Sequence, residues 1–160
     1  MDMISKHKFL KSSILPAVVS SFFGLSCLSI EARGDEHEQG IAAYESGDYN
    51  KAFNLIKLSA ESGVAKSQLI LSTMYRRGLG VEKDEYEGFY WCKKAAEQEV
   101  LEAKFHLGLM YMEGEGVSED EEEAVKWLWD AASLGYPQAT EILQYVFSEE
   151  FDIEAANIGC

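Results

Sequence analysis

Residues 95–139 read AAEQEVLEAKFHLGLMYMEGEGVSEDEEEAVKWLWDAASLGYPQA, and most landmark residues in this stretch have a counterpart upstream. Tyr111 lies 36 residues after Tyr75, and Trp127 lies the same distance after Trp91. The same offset joins Gly114 to Gly78, Gly116 to Gly80, Val117 to Val81, Asp120 to Asp84, and Ala131-Ala132 to Ala95-Ala96. A period of this length is the sequence signature of a helical array, so each residue has to be interpreted within its repeat.

The repeated unit combines small residues, paired glycines and aromatic residues in a fixed order. Leu107-Gly108 and Met110-Tyr111 are followed by a Gly-x-Gly-Val loop, an aspartate, an Ala-x-x-Trp segment and Ala-Ala. This pattern resembles the Sel1-like repeats of secreted bacterial proteins, relatives of the tetratricopeptide repeats, over about residues 40–147. The resemblance implies an all-α fold, an α-solenoid of antiparallel helix pairs with about three repeats and a C-terminal capping helix.

The 36-residue period also predicts the boundaries of the helices and repeats. We expect a repeat domain over 36–147, with repeats at about 36–63, 66–98 and 102–134, a capping helix at 137–147 and an acidic tail at 148–160. Asp48, Asp84 and Asp120 are predicted N-caps, and a glutamate three places after the last two resembles a capping box. The predicted helices are 38–46, 49–61, 66–77, 84–98, 102–113, 120–134 and 137–147.

The first 32 residues differ from the rest of the chain. Three lysines between Met1 and Lys11 precede an apolar run from Ile14 to Ile30, and the small residue Ala32 follows. This order is typical of a secretory signal peptide, so we expect a periplasmic or secreted protein. The alternatives are an uncleaved membrane anchor, because the run is near the lower length limit for a span, and lipid attachment at Cys27.

The charge of the chain excludes several classes of partner. The sequence has 28 acidic and 14 basic side chains, a net charge of −14. An acidic surface is repelled by the phosphates of nucleic acids and by anionic membranes. We therefore expect a protein or peptide partner, no nucleic acid, and membrane contact only through an uncleaved or lipidated N-terminus.

Candidate catalytic residues are few. His37 and His106 have no serine or cysteine at an informative spacing, and the Gly-x-Gly loops lack the Lys-Ser/Thr of a phosphate loop. The acidic run 113–123 lacks the ligand spacing of a calcium loop. We therefore predict no catalytic residue, cofactor or metal, and we expect the tryptophans and tyrosines at repeat spacing to be core residues.

Two cysteines lie beyond the signal-like segment. Cys92 and Cys160 could form a disulfide in an oxidising compartment, or Cys92 could be a buried free thiol beside Trp91. The sequence leaves both interpretations open.

Similarity to tetratricopeptide arrays implies that a partner binds on a concave face formed by the first helix of each repeat. The predicted partner-binding residues are Lys66, Leu69, Thr73, Arg76 and Arg77 in the second repeat, Phe105, Leu109 and Met112 in the third, and Tyr145 in the last helix. The bases among them suit an acidic or C-terminal peptide segment. Alternatively, Arg76 and Arg77 merely stabilise the C-terminal end of a helix.

The family resemblance implies a non-enzymatic scaffold or adaptor in the bacterial cell envelope. An alternative is a periplasmic immunity protein or inhibitor that neutralises a basic toxin, because opposite charge accelerates association. A minor alternative is binding or hydrolysis of β-lactams, which is associated with cysteine-rich Sel1-like proteins. Their repeats contain paired cysteines, whereas only Cys92 lies within a repeat of this chain.

Overall fold

The computed structural model describes residues 35–157, with side chains described from 35 to 148. This part of the chain forms seven helices and no strand, which confirms the predicted all-α fold. The predicted signal peptide and Cys160 lie outside the described residues. The helices are α1 (35–45), α2 (Tyr49–Glu61), α3 (Ala65–Arg77), α4 (Glu85–Glu97), α5 (Leu101–Glu113), α6 (Glu121–Ser133) and α7 (Pro137–Asn157).

The helices pack in chain order, each against the next. Contacts join α2 to α3, α3 to α4, α4 to α5, α5 to α6 and α6 to α7, and short connections make neighbours antiparallel. The first six helices begin and end within three residues of their predicted bounds. The last helix differs, because α7 continues to Asn157, ten residues past its predicted end at Phe147.

Aspartates start the second helix of each repeat, as predicted. The side chains of Asp48, Asp84 and Asp120 accept the backbone N–H three residues later, at 3.2, 3.0 and 3.0 Å. The resemblance to a capping box is only partial, since the N–H of Asp84 donates to the carbonyl of Tyr75 at 3.0 Å. The Glu87 carboxylate, which would accept that N–H in a capping box, instead accepts from the Trp91 indole at 3.1 Å.

One glycine in each Gly-x-Gly loop allows that loop to lie against the preceding repeat. Gly80 and Gly116 both have φ +71°, a conformation that side chains with a Cβ rarely adopt. A Cβ on Gly80 would lie 2.1 Å from the Tyr49 carbonyl oxygen, and one on Gly116 would lie 2.0 Å from that of Glu85. The Gly-x-Gly loop of one repeat therefore packs on the first turn of the second helix of the repeat before it.

The core extends along the stack as three clusters in which small and large residues alternate. Trp91 is buried, and Trp127, Tyr75 and Tyr111 are half-buried against these clusters, as predicted for aromatics at repeat spacing. The buried members are Ala43, Ala52, Ile56, Ala60, Leu71, Met74 and Trp91 in the first cluster, Cys92, Ala95, Ala96, Ala103, Leu107 and Met110 in the second, and Phe105, Leu128, Ala131, Ala139 and Leu143 in the third.

Candidate functional site

The nine predicted partner-binding residues occupy one stripe on the first helices α3, α5 and α7, and we call this stripe the first-helix face. Lys66, Leu69, Thr73 and Arg76 are spaced by three or four residues on α3, which places them on the same side of that helix. Phe105, Leu109 and Met112 on α5 follow Leu69, Thr73 and Arg76 by 36 residues, and Tyr145 on α7 follows Leu109 by the same distance.

The apolar members of this face contribute to packing between repeats. Leu69 is half-buried against the second core cluster, and Leu109 and Met112 are half-buried against the third. Phe105 is only 9% exposed, and its ring centroid lies 4.8 Å from that of Tyr136. Phe105 is thus a core residue and not an open contact, because the turn after α6 covers it.

Some polar side chains of this face are bonded within the protein, and others are exposed and available to a partner. Thr73 Oγ1 donates to the Leu69 carbonyl at 3.1 Å, so its hydroxyl proton is already bound within the helix. Lys66 and Arg77 are exposed, and neither forms an ion pair among the described residues. Tyr145 is also exposed.

Arg76 connects two repeats. Its Nε donates to Glu115 Oε1 at 2.9 Å and its Nη2 donates to Glu115 Oε2, a bidentate pair between α3 and the loop of the third repeat. The hydrogen bond to Glu115 raises the pKa of Arg76 above its ordinary value. A half-buried guanidinium held in this way supports the stack, and its Nε and Nη2 are already hydrogen-bonded to Glu115.

His106, which follows Phe105 on α5, was not among the predicted partner-binding residues. The imidazole is half-buried on α5, with Nε2 3.8 Å from Glu102 Oε1. Burial lowers its pKa below the ordinary value, and the positive charge of Arg76 lowers it further.

A comparison with protein families found three consecutive matches to a family model described as Sel1 repeat, at residues 32–64, 65–100 and 101–136. The chain belongs to the Sel1 repeat family. Sel1 repeat proteins generally mediate protein–protein interactions and are typically non-catalytic scaffolds. The three matches correspond to the helix pairs α1/α2, α3/α4 and α5/α6.

Solved structures of other Sel1 repeat proteins are similar to this one. A Sel1 repeat protein of Oxalobacter formigenes is 33% identical with a TM-score of 0.67, and the match covers 71% of this chain and 47% of that one. A protective antigen of uropathogenic Escherichia coli with an SLR fold is 30% identical with a TM-score of 0.72, and the match covers 76% of this chain and 27% of that one. Cysteine-rich protein B of Helicobacter pylori is 27% identical with a TM-score of 0.55, and the match covers 57% of this chain and 69% of that one.

This Sel1 repeat chain thus spans about half of the first of these structures and about a quarter of the second. A comparison with curated proteins gave no match.

One serine–histidine contact was not anticipated from this Sel1 repeat sequence. His37 Nδ1 lies 2.6 Å from Ser67 Oγ, and Ser67 Oγ lies 2.7 Å from Ser59 Oγ. The histidine and its serine are 30 residues apart on α1 and α3, so their spacing in the sequence gives no signal. Both serines have no exposed surface, which keeps any substrate from reaching a hydroxyl.

The Cys92 thiol is also inaccessible. Cys92 has no exposed surface, and its Sγ donates to the Ala103 carbonyl at 3.5 Å. Burial raises its pKa to about 12, so the thiol is protonated near neutral pH and is not a nucleophile. Cys92 is free among the described residues, and its pairing with Cys160 stays a prediction.

Three of the acidic side chains in residues 113–123 have separate structural roles. Glu115 pairs with Arg76, Asp120 caps α6, and Glu123 pairs with Lys126 at 2.8 Å. Within residues 35–148, no group of three or more His, Cys, Asp or Glu side chains is arranged to hold a metal ion. None of the helices within residues 35–157 combines the length and the apolar composition that a membrane span requires.

Proposed function

We propose that this Sel1 repeat protein is a non-enzymatic scaffold or adaptor of the bacterial cell envelope that binds a partner polypeptide on the first-helix face. The side chains available on this face are Lys66 and Arg77 beside the half-buried Leu69, Leu109 and Met112. Stacked helix pairs leave one extended surface of this kind, which solenoid proteins use for binding.

The observation that carries the proposal is the unpaired charge of Lys66 and Arg77 in a strongly acidic chain. The whole sequence has a net charge of −14, yet these two bases lie on α3 without an acidic partner among the described residues. Charged groups that are left unpaired are available to a partner of opposite charge. We therefore infer that the bound segment is acidic or presents a C-terminal carboxylate.

The envelope location rests on the sequence of residues 1–32, whose basic start, apolar middle and small-residue end are those of a secretory signal peptide. The absence of catalysis is likewise a proposal, favoured by the burial of Ser59, Ser67 and Cys92. A hydrolysis assay with the purified chain and a chromogenic β-lactam tests it, and turnover above that of a heat-denatured sample would contradict it.

The test of the binding face reverses the charge of Lys66 and Arg77 together. Arg76 is left intact, because a glutamate there would face Glu115 and weaken the stack. The tagged chain is used to recover partners from its own cell envelope, and the recovered proteins are quantified by mass spectrometry. We expect the Lys66→Glu/Arg77→Glu variant to lose at least about tenfold in recovery of the main partner, equivalent to about 1.4 kcal/mol.

The matched control is Lys51→Glu/Lys93→Glu, which changes the net charge equally at exposed positions on the second helices α2 and α4. This control should recover the partner as the wild type does. Equal recovery by the Lys66→Glu/Arg77→Glu variant would show that the first-helix face is not the binding surface.

A further inference from the structure

A second apolar surface lies at the end of the stack, between α6 and α7. The groove has a volume of about 590 Å³. Trp129 and Phe147, on its two sides, are 61% and 45% exposed. The groove is lined by the apolar residues Trp129, Ala132, Leu143 and Phe147 and by uncharged polar side chains, among them that of Gln144.

The groove lies where the second helix of a fourth repeat would pack. Ala139, Leu143 and Phe147 of α7 lie 36 residues after Ala103, Leu107 and Tyr111, so α7 is the first helix of a fourth repeat. In the complete repeats the first helix is covered by the second, α3 by α4 and α5 by α6. Within residues 35–157 no helix follows α7, and the row of second helices stops at α6.

Differences in burial agree with this register. Ala60 and Ala96 are fully buried, whereas Ala132, their counterpart on α6, is half-buried. An α-helix that extends the row of second helices would cover Ala132 and Phe147. Trp129 lines the groove and would border that helix at its edge, since its counterpart Lys93 stays exposed in the complete repeat. The geometry therefore favours a helical occupant over an extended peptide.

Gln144 limits which helix can bind. It stands where the earlier repeats have Ser72 and Gly108, and Gly108 lies so close to α6 that an added Cβ would be 2.7 Å from Leu128 Cγ. The longer glutamine side chain keeps an occupant farther from α7 than α6 is from α5. The wider gap calls for larger apolar side chains, such as leucine, on the helix that fills it.

The charge of the two helices that form the groove indicates the polar side of the occupant. No charged side chain lines the groove, and the sequence from Glu121 to Ser148 contains five acidic residues and one base, Lys126. A second copy of this chain would bring the same negative charge to the interface and would be repelled. We propose that the groove binds an amphipathic helix of another protein, with leucine-like residues on one face and lysine or arginine along its flanks.

The probe is a fluorescein-labelled peptide of about 18 residues, long enough for several helical turns, with leucines at i, i+3, i+4 and i+7 and lysines at the flanking positions. The comparison peptides are a scrambled sequence of the same composition and a version with glutamate in place of lysine. Fluorescence anisotropy with the purified chain should show at least tenfold tighter binding of the patterned basic peptide than of either comparison peptide.

Variants separate this groove from the first-helix face. We expect Trp129→Glu to weaken binding of the patterned peptide at least tenfold, whereas Trp129→Phe keeps an apolar ring and retains binding. The Lys66→Glu/Arg77→Glu variant should bind the probe as the wild type does, so failure here and failure of the proposed function are distinguishable. Circular dichroism of each variant confirms that the helices are retained.

Three results would overturn the inference. Equal binding of the scrambled peptide would show that charge alone attracts the probe, and equal binding by Trp129→Glu would place the probe elsewhere. A dimer of the wild-type chain in light scattering that Trp129→Glu dissociates would show that a second copy fills the groove.

Discussion

The joint between the first and second repeats and the joint between the second and third have the same backbone path but different side-chain chemistry. In the first joint, Ser59 and Ser67 are buried and bonded to each other at 2.7 Å. The residues 36 positions later are Ala95 and Ala103, which are buried without a polar atom. The turn itself contains Gly63 with φ +99° in the first joint and Glu99 with φ +64° in the second.

The polar interactions differ between the two joints. The first joint places His37, Ser67 and Ser59 in one hydrogen-bonded chain inside the stack. The second joint pairs the buried Lys104 Nζ with the exposed Glu99 Oε2 at 2.6 Å. The period therefore fixes where the backbone turns and where small residues are needed, while either a hydrogen bond or simple apolar contact can fill the joint.

The largest expected change in the free energy of unfolding is at Ser67, in the first joint. Ser67→Ala leaves the fully buried hydroxyl of Ser59 without its partner, and an unpaired buried polar group costs about 1–3 kcal/mol of the free energy of unfolding. The double variant Ser59→Ala/Ser67→Ala reproduces the alanine pair of the second joint and should be less destabilised than Ser67→Ala alone. Urea denaturation of the two single variants and the double variant measures this.

An additive double variant would contradict the prediction, because it would show that the two hydroxyls are not coupled. The matched control is Ala95→Ser, which places a hydroxyl in the apolar second joint and is expected to destabilise the chain.

Much of the fold is predictable from the sequence because one period specifies it. Asp84 and Asp120 predict the starts of α4 and α6, since an aspartate cap is a local interaction within three residues. The extension of α7 beyond Phe147 was not predicted, because the complete repeats give shorter first helices, although no cap or glycine between Phe147 and Asn157 marks an end.

The candidate site is less predictable, because its contacts join residues far apart in the sequence. The bidentate pair of Arg76 and Glu115 spans 39 residues and depends on how a loop packs against the neighbouring repeat. Phe105 was expected at the surface, but Tyr136 covers it from the turn after α6. A helical pattern shows which side of a helix a residue lies on, but it does not show which neighbouring element covers that side.

A smaller effect is expected from the thiol of the second joint. Cys92 stands where the first joint has Ile56, and burial raises its pKa from 9.0 to about 12. A thiol with a raised pKa in the folded state contributes stability below the unfolded pKa, and this stability is lost as the pH rises toward the folded pKa. The free energy of unfolding should therefore fall by about 1.4 kcal/mol between pH 8 and pH 10 from this group.

Cys92→Val removes the titrating group and keeps the position apolar, so the difference between wild type and variant isolates the thiol from the tyrosines that also titrate in this range. Parallel stability curves from pH 8 to pH 10.5 would show that the thiol does not contribute. Below pH 8 the two curves should be parallel, because Cys92 is protonated in both the folded and the unfolded chain.

The smallest expected effect separates backbone strain from charge pairing at Glu99. Glu99 is the one residue other than glycine with positive φ in the described part of the chain, and its carboxylate pairs with Lys104, whose side chain is 6% exposed. Both Glu99→Ala and Glu99→Gly remove this pairing, but glycine also relieves the strain, so Glu99→Gly should be more stable than Glu99→Ala by about 1 kcal/mol. Gly135→Ala is the matched control, since Gly135 has φ +90° and a Cβ there would meet nothing within 4 Å. Its free energy of unfolding should fall by a similar amount relative to the wild type in the same urea titration. Equal stability of the two Glu99 variants, with a loss at Gly135, would show that the turn of the second joint relaxes to a negative φ once the carboxylate is gone.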